Sequence, residues 1–347
     1  MRRRIVIVVI VIALLEGAAR LAGVPDWAPN DTFIQAREWD YLHLIDRDAE
    51  LFWKYRPNQT IKRPFFAPGE YEINAQGFRG YDIPDLRPEG TKRVVCFGES
   101  ATFGWGVSED AAYPRQLEKQ LNRLDTTGQR WEVINAGVTN YSTHQAIALA
   151  KRWMPRWKPD IALYDFSWGD HQPAGNGIAD KDIKMPASFL IGAENLLMRL
   201  RAFQWARRGW QSLFAAPAPQ PDPAFRTWRV GPVDFNANIE HLVLIARENG
   251  ARAIIVTSPI SWPPPGMSDT SGVFHYHHRY HRTARYAAIA AGAEYVELAN
   301  QFNAHREFFD DVRRDNEHYN SAGHAFAGEW IARYILGATQ DTTAGGR

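Results

Sequence analysis

From about residue 91 onward the chain alternates between short, mostly apolar runs and longer stretches in which apolar residues recur every three or four positions. The runs at 94–97, 131–135, 161–166, 253–256 and 295–298 are short enough to be strands buried on both faces. Between them, Tyr113, Leu117, Leu121 and Leu124 recur at helical spacing around Pro114, and 144–157 reads as a helix capped by Ser142 or Thr143. Ile239, Leu242, Val243 and Ala246 mark a further helix closed by Gly250, and 282–291 and 326–336 complete the series. Repeated strand-helix units predict an α/β fold, a parallel sheet of about five strands with helices on both faces.

Two regions break this pattern. Residues 24–90 are rich in aromatics and proline, with Trp27, Trp39, Trp53 and Phe65-Phe66 but no long helical period. Within them, Tyr71-Glu72-Ile73-Asn74 alternates like a strand before a Gly77-Phe78-Arg79-Gly80 turn, and the whole reads as an extension packed on the main domain, with Arg79 as a structural contact. The second interruption is an insertion at about 171–234. Here Leu196, Leu200, Phe203, Trp210 and Leu213 make one face of a helix flanked by Arg199, Arg201, Arg207 and Arg208, the pattern of a lid or of a helix lying on an anionic membrane. Residues 215–223 are a proline-rich connector. The expected organisation is 1–23 as a signal anchor or signal peptide, 24–90 as the extension, 91–336 as the α/β domain, and 337–347 as a polar tail.

Charge narrows the function classes. With 40 Lys and Arg against 39 Asp and Glu, the net charge of +1 supplies no global field for nucleic acid. The single Cys96 excludes an internal disulfide and packs within a strand. Arg2-Arg3-Arg4 followed by the apolar 5–15 has the form of a secretory n-region and h-region. That run falls short of the roughly 20 residues that span hydrocarbon. An uncleaved anchor at the extracytoplasmic side is the leading expectation; a cleaved signal peptide, giving a secreted protein, and a buried helix are the alternatives.

Candidate chemistry gathers at the first strand. It stops at Gly98-Glu99-Ser100, placing a hydroxyl at the carboxyl end of a parallel strand and at the positive end of the next helix. Alone, such a serine is most simply a helix cap. Far along the chain, Asp315-Asn316-Glu317-His318 precedes the last helix, and a carboxylate three residues ahead of a histidine can orient it as a general base. A second cluster holds His275, His277, His278 and His281; His277 and His281 share a helical face at a spacing seen in zinc sites. No third ligand is identifiable, so a substrate-side rim or a packed helix start is expected there, with no metal.

Together Gly98-Glu99-Ser100 and Asp315-x-x-His318 resemble the first and last blocks of the SGNH (GDSL-type) hydrolase superfamily, over about residues 70–336. The Gly-Phe-Arg-Gly segment also resembles a membrane-anchored bacterial subgroup. The resemblance implies a flavodoxin-like, three-layer doubly wound sheet, Ser100 as nucleophile, His318 as base, Asp315 as its orienting carboxylate, and no cofactor. The N–H groups of Ser100 and Gly137, from the second block, would form the oxyanion hole. In the third block, Ser167-Trp168-Gly169-Asp170-His171 departs from Gly-x-Asn-Asp: Gly169 stands where the family has an oxyanion-hole Asn. Losing such a donor costs about 10² to 10³ in turnover; Asn140 and Asn176 are neighbours able to substitute. Asn140, Asp170, His171, His277 and His281 are candidate substrate-rim residues. The expected activity is a serine esterase on O-acyl esters of a glycan or lipid, with a membrane-complex acyltransferase or a non-catalytic binding protein as alternatives.

Overall fold

The computed structural model describes residues 2–24, 45–62, 70–174, 177–214, 227–261, 273–302, 305–309 and 317–337. In chain order the elements are α1 (Arg2–Leu21), β1 (Ile45–Asp48), β2 (Phe52–Tyr55), β3 (Gln59–Lys62), β4 (Glu70–Ile73), β5 (Thr91–Gly98), α2 (Ser100–Phe103), α3 (Tyr113–Leu124), β6 (Arg130–Gly137) and α4 (Thr143–Trp157). They continue as β7 (Ile161–Asp165), α5 (Ser188–Leu197), α6 (Arg201–Phe214), α7 (Pro232–Glu248), β8 (Arg252–Val256), α8 (Val273–Ala290), β9 (Glu294–Val296), α9 (Leu298–Phe302) and α10 (Ser321–Ile335).

The chain divides into two compact units, and the larger comprises Pro57–Ala174, Ile178–Ile183 and Thr227–Arg347. Its centre is a five-stranded sheet in the order β6-β5-β7-β8-β9, with every pairing parallel. Strand order reverses at β5, so the carboxyl ends of β5 and β7 flank a topological switch point, where open α/β sheets bind ligands. Alternation of side chains divides β5 between two cores. Val94 and Cys96 belong to the cluster with Leu117 and Leu121 of α3 and Ile331 of α10. Phe97 instead stacks on Tyr164 with ring centroids 5.4 Å apart, and the Tyr164 hydroxyl donates to the Leu242 carbonyl of α7. Helices therefore cover both faces, which is why the strands read as continuous apolar runs.

Most predicted elements are present, with shifted ends. The fifth strand stops at Val296, and Leu298 starts α9. The helix expected from Arg282 begins at Val273, which brings the histidine cluster onto α8. The antiparallel hairpin β3-β4 groups with the sheet, so the extension divides at Arg56 and Pro57.

The smaller unit comprises Met1–Arg56, Gly175–Gly177 and Lys184–Arg226, so most of the insertion groups with the N-terminal segment rather than with the sheet. Its hairpin β1-β2 is tied to α5, where the Arg47 N–H donates to Asn195 and the Arg47 guanidinium pairs with Glu194 at 2.8 Å. The single helix predicted from Leu196 to Leu213 is two: the chain breaks at 198–200, and Gln204 donates to the Met198 carbonyl released there. On α1, Glu16 accepts from the Ala202 N–H at the start of α6 and pairs with Arg20 at 2.7 Å. Val6, Ile7, Val9, Ile10, Leu14 and Leu15 of α1 are exposed. Among the described residues no helix is long and apolar enough to cross a membrane, so α1 does not supply the expected spanning anchor.

Candidate active site

Ser100 sits where β5 ends at the switch point, as the first residue of the four-residue α2. Glycine is required at Gly98 because a Cβ there would overlap the Thr102 hydroxyl, which folds back beneath the turn. That hydroxyl meets the Tyr113 hydroxyl at 2.9 Å and approaches Asp165 Oδ2 at 3.5 Å. Asp165, the last residue of β7, also accepts from Ser258 Oγ at 2.6 Å. Burial pushes the Asp165 carboxyl up to about 6.

Two buried side chains clamp this turn. Glu99 accepts three main-chain N–H groups, from Ser167 at 3.1 Å, Trp168 at 2.8 Å and Gly169 at 2.7 Å. One side chain next to Ser100 thus organises the loop after β7, while burial, reinforced by Asp170, pushes its carboxyl up. At the other end Arg79 donates to the carbonyls of Phe103 (2.8 Å), Gly104 and Val107 (2.5 Å), and lies 4.5 Å from the Tyr71 ring centroid. The guanidinium thus collects the carbonyls released at the end of α2. Its expected structural role is the one it has.

The donors expected at the oxyanion hole are rearranged. The Gly137 N–H is taken by Asn135 Oδ1 at 3.0 Å, and a Cβ at Gly137 would overlap the Phe103 N of α2. Its missing side chain admits α2, not a substrate, and the expected donor role is corrected accordingly. The Gly169 N–H is taken by Glu99, and a Cβ there would overlap the Tyr141 carbonyl oxygen. Gly169 is thus a close-packing residue whose N–H is committed to Glu99. Asn140 lies one residue before Tyr141 in left-handed backbone, with φ 59°. Among the described residues, the N–H groups of Ser100 and Asn140 donate to no acceptor. Asn176 lies outside the described residues.

His318 precedes the N-cap of α10 by two residues. The cap, Asn320, accepts from the Ala322 and Gly323 N–H groups, while its own N–H and side-chain amide donate to the Phe308 and Glu307 carbonyls. This fixes the approach of the chain. The His318 ring lies 6.1 Å, centroid to centroid, from Trp105, just beyond α2, and His318 Nε2 is 3.7 Å from Glu317 Oε1. Glu317 is close enough to raise the Glu99 carboxyl further by charge repulsion, so the last block meets the first. Asp315 lies outside the described residues. A second link is His324 of α10, whose Nδ1 accepts the Tyr113 N–H at 3.2 Å and so caps α3.

The remaining rim candidates are interior. Asp170 accepts the Thr143 N–H at 2.9 Å and its hydroxyl at 2.5 Å, capping α4, and burial pushes its carboxyl up to about 7. His171 Nε2 meets His277 Nδ1 at 3.2 Å, His277 Nε2 meets the Ser258 carbonyl at 3.2 Å, and the His277 and His281 rings are 4.0 Å apart. Since the carbonyl can only accept, His277 carries its proton on Nε2, and His171 donates to His277 Nδ1. Trp168 and Tyr280 enclose the group. His171, His277 and His281 are at most 6% exposed, so the shared face of His277 and His281 is a core contact and not a rim. Burial holds His171 down to about 4, His281 down to about 3 and His277 well below its ordinary value. The group packs as neutral rings, and among the described residues no cluster of three or more His, Cys, Asp or Glu could hold a metal.

Sequence reasoning did not single out Thr102, Asp165 or Ser258 beneath the Ser100 turn, nor Glu317 beside His318. Asp165 had a signal, as a carboxylate closing an otherwise apolar strand.

The chain resembles several solved structures in fold. A lipase/acylhydrolase from Enterococcus faecalis is 15% identical with a TM-score of 0.45, covering 73% of this chain and 100% of that one. LAE5, an alpha/beta hydrolase enzyme from the metagenome of Lake Arreo, Spain, is 14% identical with a TM-score of 0.47, covering 73% and 98%. An acetylxylan esterase from Geobacillus stearothermophilus is 13% identical with a TM-score of 0.44, covering 72% and 95%. No curated protein matches the sequence. Residues 96–326, two thirds of the chain and the whole sheet from Cys96 onward, match the GDSL-like Lipase/Acylhydrolase family, and the chain is a member of that family of ester hydrolases.

Proposed function

We propose that the protein hydrolyses O-acyl esters of a glycan or lipid through Ser100, His318 and Asp315. The observation that carries this reading is the placement of Ser100 at the switch point, with its N–H uncommitted and the His318 segment beside α2. In the proposed reaction His318 takes the Ser100 hydroxyl proton as Oγ attacks the ester carbonyl. The Ser100 and Asn140 N–H groups hold the oxyanion, the protonated imidazole gives its proton to the leaving alcohol, and water repeats the sequence on the acyl-enzyme. Asn140 takes the donor place expected of Gly137, and the hole is built from main-chain groups alone.

Exposed apolar residues on α1, behind Arg3 and Arg4, and Trp210 and Leu213 on α6 support attachment of the smaller unit to a membrane surface on the extracytoplasmic side. That placement motivates a glycan or lipid substrate.

The test is labelling of the full-length protein by a fluorophosphonate, beside Ser100→Ala and His318→Ala. Labelling and esterase turnover should both vanish in the two variants while their folding is unchanged. Turnover retained by Ser100→Ala would exclude the assignment. Acyl-glycan and acyl-lipid panels then separate the substrate classes, and activity confined to soluble thioesters would overturn both.

A further inference from the structure

We propose that Arg229, held by Asp180, is a positioning residue that fixes Asn140 as an oxyanion donor. This inference rests on the esterase reading above. Asn tolerates left-handed backbone better than other residues with a side chain, but its short side chain holds that conformation best when hydrogen-bonded in place. At Asn140 the bonding is specific. Arg229 Nη1 donates to the Asn140 main-chain carbonyl at 2.7 Å and to its Oδ1 at 3.2 Å. Nη2 reaches Gln145 Oε1 at 2.8 Å and Asp180 Oδ2 at 2.9 Å, and Nε reaches Asp180 Oδ1 at 3.2 Å. The planar fork therefore locks the Asn140 carbonyl and side chain together against the first turn of α4.

The pair is itself anchored. Its side chains are 8% and 3% exposed, the Ser142 hydroxyl donates to Asp180 at 2.7 Å, and Gln145 Oε1 also accepts the Ser142 N–H. The Arg229 N–H donates to the Gln172 carbonyl, and its own carbonyl accepts the Asp180 N–H at 2.8 Å. Arg229 thus satisfies both acceptors of Asn140 and leaves its N–H available for an oxyanion. Tyr141, the next residue, packs its carbonyl on Gly169, which Glu99 holds beside Ser100. The Arg229-Asp180 pair thereby supports a hole that has no side-chain donor at position 169.

The experiment is steady-state hydrolysis of p-nitrophenyl acetate by the full-length protein and by Arg229→Met, Arg229→Lys and Ser100→Ala, with affinity for a trifluoromethyl ketone measured in parallel. Arg229→Met should lower kcat about 10²-fold or more with KM within threefold, and weaken the ketone, which forms an oxyanion, by the same factor. Arg229→Lys keeps a cation for Asp180 but cannot bridge Asn140 and Gln145, so it should fall at least tenfold and decides the matter if the Met variant fails to fold. Folded Arg229 variants with wild-type kcat, or an equal loss of kcat and of affinity for the alcohol product, would overturn the inference. Ser100→Ala separates the two levels: hydrolysis surviving there overturns the esterase reading, whereas hydrolysis lost there but kept in both Arg229 variants overturns this inference alone.

Discussion

The Gly169 N–H donates to Glu99 Oε2 at 2.7 Å while the Tyr141 carbonyl oxygen occupies the place a Gly169 side chain would need. An Asn at this position, the residue the wider superfamily uses, has no room here. Gly169→Asn should lower stability by about 1 to 3 kcal/mol through overpacking and should not raise turnover. Urea denaturation beside esterase kinetics checks this; a faster, equally stable variant would show that the loop opens to accept the side chain.

Arg79 is the second clamp on α2. Arg79→Met keeps the apolar stem but leaves the Val107 carbonyl without its donor and the Phe103 and Gly104 carbonyls with only long bonds from Asn135 and the Val107 N–H, so the loss should reach about 3 kcal/mol. It should be visible as a lower urea midpoint at unchanged slope. An unchanged midpoint would mean that water or a neighbouring donor replaces the guanidinium.

The buried histidines make stability depend on pH. His171, His277 and His281 have values below the ordinary one of about 6.5, so below that pH the unfolded chain takes up protons the folded chain refuses. Their contribution is present above about pH 6.5 and is lost as pH falls toward 4. Asp165 and Asp170, raised to about 6 and about 7, act in the opposite sense, since the folded chain keeps their protons longer. A single substitution isolates one group. His281→Leu should flatten the slope of stability against pH between about 6.5 and 4 by up to about 1.4 kcal/mol per pH unit. Equal slopes in the two proteins would show that His281 is already protonated in the fold.

The smaller unit carries the membrane prediction. Sedimentation with vesicles rich in phosphatidylserine should recover the full-length protein, and Ile7→Asp with Ile10→Asp should reduce that recovery at least tenfold. A charge placed in hydrocarbon costs about 2.5 kcal/mol or more. Recovery unaffected by both substitutions would place the contact elsewhere.

What could be read beforehand follows from how local each signal is. The five strands and the helices around them were legible because burial on both faces leaves an apolar run that needs no partner to be recognised. Ser100 and His318 were legible because each stands at an element boundary. The oxyanion donors were not, because whether the Gly137 N–H is free depends on the Asn135 side chain, and whether position 169 can hold Asn depends on Tyr141. Both are facts of tertiary packing. The break between α5 and α6 was hidden because Leu196, Leu200 and Phe203 keep helical spacing across it.

His324 of α10 accepts the N–H of Tyr113, 211 residues earlier in the chain, and His318 lies just ahead of the same helix. During synthesis β5, α2 and α3 leave the ribosome long before the segment that completes them, so the nascent protein carries the Ser100 turn without the proposed base beside it. Contacts of such separation slow folding, because a long loop must close before they contribute. On the proposed mechanism Ser100 therefore stays chemically silent until the last helix docks, and hydrolytic competence arrives in one late step instead of accumulating strand by strand.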